Sequence, residues 1–112
     1  MPTVNASITR DEALNNFVDN FDIINALADR NRQRIIILLF HHMDDGMTVT
    51  EITRQMSITQ PAVSHHLKIL REANLVSFKK NGLQSFYYLT LEQPLSRLEK
   101  VIHDLHQEVA VE

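Results

Sequence analysis

The chain has 112 residues, 44% of them apolar and 22% charged, with a formal net charge of −3 and no cysteine. That length suits one domain with a modest core, and the apolar content is too high for a disordered chain. The missing thiols exclude a disulfide framework, a thiolate metal site and a cysteine nucleophile, and no apolar run approaches the ~20 residues that cross a bilayer.

Residues 1–8 carry no periodicity and no charged-then-apolar signal plan. They are expected to form a flexible N-terminus on a cytoplasmic protein. From Thr9 to Ala28, Leu14, Phe17, Val18, Phe21 and Ile24 recur at helical spacing and Leu27 continues the stripe, which predicts one amphipathic helix over 9–28. Asp29 is the N-cap of a helix reaching about Phe40. Ile35, Ile36, Leu38, Leu39 and Phe40 make that helix apolar over most of its circumference, the pattern of a central, buried element. Arg30, Arg32 and Arg34 stand at its start, where the helix dipole least favours cations. Pairing with the acidic N-terminal helix is favoured for them over contact with the phosphates of an external partner. Asp44-Asp45-Gly46 closes the unit as a turn.

The stretch Thr48 to Ala73 predicts two short helices joined by a tight turn. Thr48 and Glu51 fit the S/T-x-x-E capping box, placing a first helix at about Val49–Met56, with Ser57-Ile58 as the turn. Thr59 caps the second helix, whose first turn tolerates Pro61 because its N–H groups lack intrahelical partners. Val63, His66, Leu67 and Leu70 follow the spacing of a buried stripe. Pro61, Ser64, His65 and Lys68 repeat that spacing on the opposite face, with Gln60 and Arg71 beside them. A short, polar, basic face suits a DNA major groove: Gln, Ser and His reach base edges, while Lys and Arg neutralise phosphates. An ordinary solvated helix face is the plain alternative.

Asn74 is positioned as a left-handed helix-ending residue. Leu75–Lys80 and Leu83–Thr90 read as strands around Asn81-Gly82, the strongest short hairpin signal, with Lys79 and Lys80 beside the tip; the pattern leaves the register open. Pro94 suits the first turn of a last helix over 94–110, striped by Leu95, Leu98, Val101, Ile102, Leu105 and Val109. Amphipathic helices at both ends exceed what a small core needs, and 9–28 and 94–110 are the expected dimer surface. Two-fold pairing sets two recognition helices roughly 34 Å apart, one turn of DNA. The expected fold class is mostly α with a small β-hairpin, dimeric through its terminal helices.

Net acidity does not argue against DNA once the chain is divided. Met47 to Gly82 holds five basic and two acidic residues, and the remainder holds six and twelve. An acidic body bearing one basic face is compatible with reading double-stranded DNA through that face alone. The expected contacts are Thr59, Gln60, Pro61, Ser64, His65, Lys68 and Arg71 on the helix, and Lys79 and Lys80 on the hairpin.

With these elements in order, the chain resembles the ArsR family of winged-helix transcriptional repressors over about Ile23 to His106. The resemblance is carried by A-L-A-D-R-N-R-Q-R-I-I-I-L-L (Ala26–Leu39), S-I-T-Q-P-A-V-S-H-H-L-K-I-L-R-E-A-N-L-V (Ser57–Val76) and the Y-Y-L of Tyr87–Leu89. It implies a winged helix-turn-helix, with the helix-turn-helix at 48–73 and the wing at 75–90, in a single domain over 9–112. It also implies a homodimeric repressor that leaves its operator when an inducer binds. By position, Gln60, Ser64 and His65 fall where the family contacts DNA, and His66 where it packs inward.

Departures from the family pattern bear on the signal sensed. Metal sensors of the family carry C-V-C where this chain reads Thr48-Val49-Thr50, and hydroxyls do not replace thiolates for soft ions. The family's other metal site lies on the last helix, as an Asp-x-His pair near its start and H-x-x-H or H-x-x-E near its end. Here His103 and His106 supply the second pair, but the first reads Thr90 and Glu92, or Leu91 and Gln93. Surface histidines, and no cofactor, are therefore the favoured reading. The alternative is a zinc- or nickel-responsive repressor in which Glu92 or Asp104 completes a tetrahedral site with His103 and His106 across the dimer. His41-His42 beside Asp44-Asp45 is a weaker cluster, since adjacent helical residues diverge by about 100°. A protein-interaction adaptor would predict a neutral or acidic recognition face. An enzyme is not expected, because no segment gathers a nucleophile, a base and an orienting acid.

Overall fold

The computed structural model describes residues 8–110; the flexible segment expected at 1–8 falls, apart from Ile8, outside the described residues. Along the chain run α1 (Arg10–Asp19), α2 (Phe21–Leu27), α3 (Arg30–Phe40), α4 (Val49–Arg54), α5 (Gln60–Glu72), β1 (Val76–Asn81), β2 (Gln84–Leu89) and α6 (Glu92–Val109). Four helix starts carry the side-chain caps that orphan N–H groups require. Thr9 and Thr48 form full capping boxes with Glu12 and Glu51, Asp29 accepts from the amides of Asn31 and Arg32, and Thr59 accepts from Ala62.

The single helix expected over 9–28 is two helices. At Asn20 the backbone leaves helical angles (φ −103°, ψ 15°) while the side-chain amide donates to the Asn16 carbonyl at 2.7 Å. Asparagine competes in this way for carbonyls a helix would use, and an unbroken apolar stripe does not reveal it. Phe17 and Phe21 then pack edge to face across the break, 5.2 Å apart.

α3 runs through the centre, with Ile35, Leu38 and Leu39 buried, yet it is not covered all round. Ile37 and Phe40 are more than half exposed, which corrects the expectation for Phe40. The arginines at its start differ from expectation too. Among the described residues none of them pairs with a carboxylate of the expected N-terminal helix, residues 9–28. Arg32 instead donates from Nε to Ala26 O (2.7 Å) and from Nη2 to Asn25 O (3.3 Å), satisfying the carbonyls that end α2.

The hairpin turns one residue later than its Asn-Gly signal suggests. β1 and β2 pair antiparallel from Val76↔Leu89 to Asn81↔Gln84, leaving Gly82 and Leu83 as the two-residue loop. Gly82 has φ +67°, and Asn74 is the one non-glycine residue with positive φ among those described. A positive φ at the first loop position alone is the requirement of a II′ turn, which glycine meets and which lets Asn81 stay in the ladder. Met47 bridges Tyr87 on the other side of β2, exchanging N–H···O bonds of 3.0 and 2.8 Å.

The main core joins Ile23 and Ala26 of α2, the inner face of α3, Met47, Ile52, Val63, Leu67 and Leu70 of the two-helix motif, and Leu75 and Val76. α1 and α6 stand largely apart from it. They pack on each other, burying Ala13 and Val101 and setting Arg10 Nε 3.7 Å from Glu108. Leu14, Val18, Phe21, Leu95, Ile102 and Val109 remain about half exposed or more.

Candidate nucleic-acid interface

α5 is held by one face and offers the other. Val63, Leu67 and Leu70 are buried, while Gln60, Pro61, Ser64, His65, Lys68 and Arg71 are exposed, as is the cap residue Thr59. The outward face begins at the capped N-terminus, where unsatisfied N–H groups favour anions, and ends in the two cations. Two-sidedness of this kind follows from placing apolar residues at a 3.6-residue period.

The wing is bound to the helix by a contact that periodicity did not reveal. The Arg71 guanidinium lies over the Phe78 ring, 5.2 Å from its centroid. Asn74, at φ +61°, reverses the chain between them. Arg71 is thus a brace between α5 and the wing as well as a positive charge on the exposed face. The two wing lysines are not equivalent. Successive strand residues point to opposite faces, so Lys80 shares the face of Phe78, towards α5. Lys79 shares the other with Tyr88, whose ring centre is 5.5 Å from Nζ, in a recess also lined by Asp44 and Asp45. Of the pair, Lys80 is the one on the α5 side of the hairpin, and Lys79 the one on the Tyr88 side.

His66 turns inward and is half-buried. Its Nδ1 lies 3.2 Å from Arg32 Nη1 and 3.8 Å from Asp29 Oδ2. Burial lowers its pKa from the ordinary imidazole value, helped by the charges of Arg32 and His65 and opposed by Asp29. The Arg32 amide, more than any other neighbour, lowers the pKa of Asp29.

A family model, "Bacterial regulatory protein, arsR family", matches residues 29–77. An arsenical resistance operon repressor of Bacillus subtilis is 36% identical over 76% of this chain and 76% of its own length. An HTH-type transcriptional regulator of Methanocaldococcus jannaschii is 32% identical over 75% of this chain and 91% of its own. The chain belongs to the ArsR family. A solved structure described as a possible transcriptional regulator for arsenical resistance superposes with a TM-score of 0.63 at 29% identity, over 80% of this chain and 94% of the other. The fold is accordingly the winged helix-turn-helix of the ArsR regulators, and the chain is a DNA-binding transcriptional regulator rather than an enzyme.

Metal ions are the inducers typical of ArsR regulators, so the donor sets of this ArsR chain can be tested for fit. At the position of the family's cysteines, Thr48 is buried and its hydroxyl is taken up by the Glu51 amide at 3.1 Å. That site offers a soft ion nothing. On α6, His103 and His106 are exposed and one turn apart, but Asp104 is engaged by Lys100 at 2.8 Å. Glu92 lies eleven residues from His103, about 16 Å along the helix axis. Among the described residues no three His, Asp or Glu side chains gather within one chain. Two imidazoles fall short of the three or four protein ligands of a zinc site, and they do not fit one without a partner's donors. No helix among the described residues is long and apolar enough to cross a membrane.

Proposed function

We propose that the chain works as a homodimeric repressor whose two α5 helices occupy successive major grooves of a pseudo-palindromic operator in the cytoplasm. The observation that carries this reading is the division of α5, buried on Val63, Leu67 and Leu70 and open on Gln60, Ser64, His65 and Lys68. Within that face, Gln60, Ser64 and His65 read base edges, Thr59 and Pro61 flank the entry into the groove, and Lys68, Arg71 and Lys80 meet phosphates, with Lys79 subordinate. The exposed apolar residues of α1 and α6 supply the two-fold contact. An inducer releases the operator; among the described residues no donor set within one chain supports a metal in that role.

Titrating the protein into its upstream DNA tests the reading. Operator binding should weaken steeply with salt, as phosphate contacts release counterions. Replacing Ser64 and His65 by Ala should cost about 1–3 kcal/mol per lost base contact on operator and much less on random duplex. Equal losses on both duplexes would show that these side chains do not read sequence.

A further inference from the structure

Arg32 and His66 form a contact that constrains protonation. Arg32 has donors only and stays charged throughout the accessible pH range. The nitrogen 3.2 Å from its Nη1, His66 Nδ1, must therefore be an unprotonated acceptor, with the ring proton on Nε2. The same guanidinium is fixed on its other edges by Ala26 O and Asn25 O. One planar group thus ties the end of α2 and the start of α3 to the middle of α5. On the helix, His66 lies beside His65 and two positions from Ser64, both on the outward face.

We propose that His66 is a proton-sensitive positioning residue for the recognition helix: protonation at Nδ1 ejects Arg32 from the joint and lowers the protein's discrimination for its operator. The inference rests on the DNA-reading face assigned above. A proton on Nδ1 would point at a guanidinium, turning an attraction into repulsion between like charges. The groups facing the ring are Asp29 and Arg32 at the start of α3 and His65 on its own helix. Asp29 is the one able to receive the proton's hydrogen bond. Its Oδ2 already accepts from the amides of Asn31 (3.0 Å) and Arg32 (3.1 Å) as the cap of α3, so a third donor would compete with that cap. The half-buried imidazole's lowered pKa agrees in sign. The seated arrangement is complete above the ordinary imidazole value, about 6.5, and is lost as pH falls through the ring's own lowered value. Val63, Leu67 and Leu70 keep α5 docked throughout. The change is one of aim, so it falls on sequence-specific binding more than on general attraction to phosphate.

The experiment measures affinity for operator and for random duplex at about pH 7.5 and about pH 5.5, at constant ionic strength, on either side of the free imidazole value. The wild-type chain is compared with His66→Asn, whose amide oxygen replaces Nδ1 as a permanent acceptor, and with His65→Asn. Wild type should lose severalfold in the operator-to-random ratio on acidification, and His65→Asn, starting from a lower ratio because it lacks a base-reading side chain, should show the same fractional fall. His66→Asn should hold its ratio. A flat wild-type ratio, or an equal fall in His66→Asn, overturns the proposal while operator binding at neutral pH stands. Absence of operator binding at neutral pH would instead overturn the DNA-reading assignment itself. If His66→Asn fails to fold, the wild-type ring decides by NMR titration with and without operator. A His66 pKa lower in the complex supports the latch, and an unchanged one refutes it.

Discussion

Gly46 and Gly82 both hold left-handed backbone, at φ +71° and +67°, but their surroundings differ. A Cβ at Gly46 would stand 2.6 Å from the Tyr87 carbonyl oxygen, whereas one at Gly82 would meet nothing within 4 Å. Gly46 is where the α3–α4 loop closes onto β2, just before the Met47–Tyr87 bridge. Gly82→Ala should cost only the penalty of a backbone region closed to most side chains, about 1–3 kcal/mol. Gly46→Ala carries that penalty and overpacking of about 1–3 kcal/mol more. Denaturant unfolding of the two variants checks the difference; equal midpoints would mean that the close approach to β2 carries no energetic weight. Sequence marks both glycines as turn residues. Which of them lies against another strand is a fact of tertiary approach, and local composition is blind to it.

Thr48 shows what an element's own boundary contributes. Its hydroxyl accepts from the Glu51 amide at 3.1 Å and its amide donates to the Glu51 carboxylate at 2.9 Å, so α4, only six residues long, begins with both donors satisfied. Thr48→Ala should destabilise the chain by about 1 kcal/mol. For a domain of this size that is a fall of roughly 4 °C or more in Tm at fixed protein concentration. An unchanged Tm would show that burial alone holds α4. Caps, stripes and the Asn74 reversal were legible in the sequence because each is a rule about residues within one turn of each other. The break at Asn20 was not, since its apolar stripe runs on while one side-chain amide takes a carbonyl. The hairpin was found but displaced by one residue, because II′ geometry needs glycine first in the loop rather than second. The exposed residues proposed to contact DNA are legible as one face of α5. Its two braces, Arg71 on Phe78 and Arg32 on His66, join elements distant in the chain, and no local spacing announces them.

At the scale of the molecule, the chain is elongated, 57 × 25 × 20 Å with a radius of gyration of 17.6 Å, against about 13 Å for a compact domain near this length. The extension comes with terminal helices that share little with the main core, and whose remaining apolar residues face outward. A single chain leaves that surface wet, which is costly for a contiguous apolar patch and ordinary for a subunit contact. Ile102 is 54% exposed on α6, so Ile102→Asp should leave the winged helix folded while placing a charge in the proposed two-fold contact. Sedimentation equilibrium should then report single chains. Operator affinity should collapse towards that of one half-site, and the slope of log affinity against log salt should fall to about half, because it counts phosphates neutralised per bound unit. Random-duplex binding per chain should change far less. A variant that remains dimeric, or a monomer retaining the full salt slope, would separate operator recognition from the terminal helices and leave their exposed apolar faces without the role assigned to them.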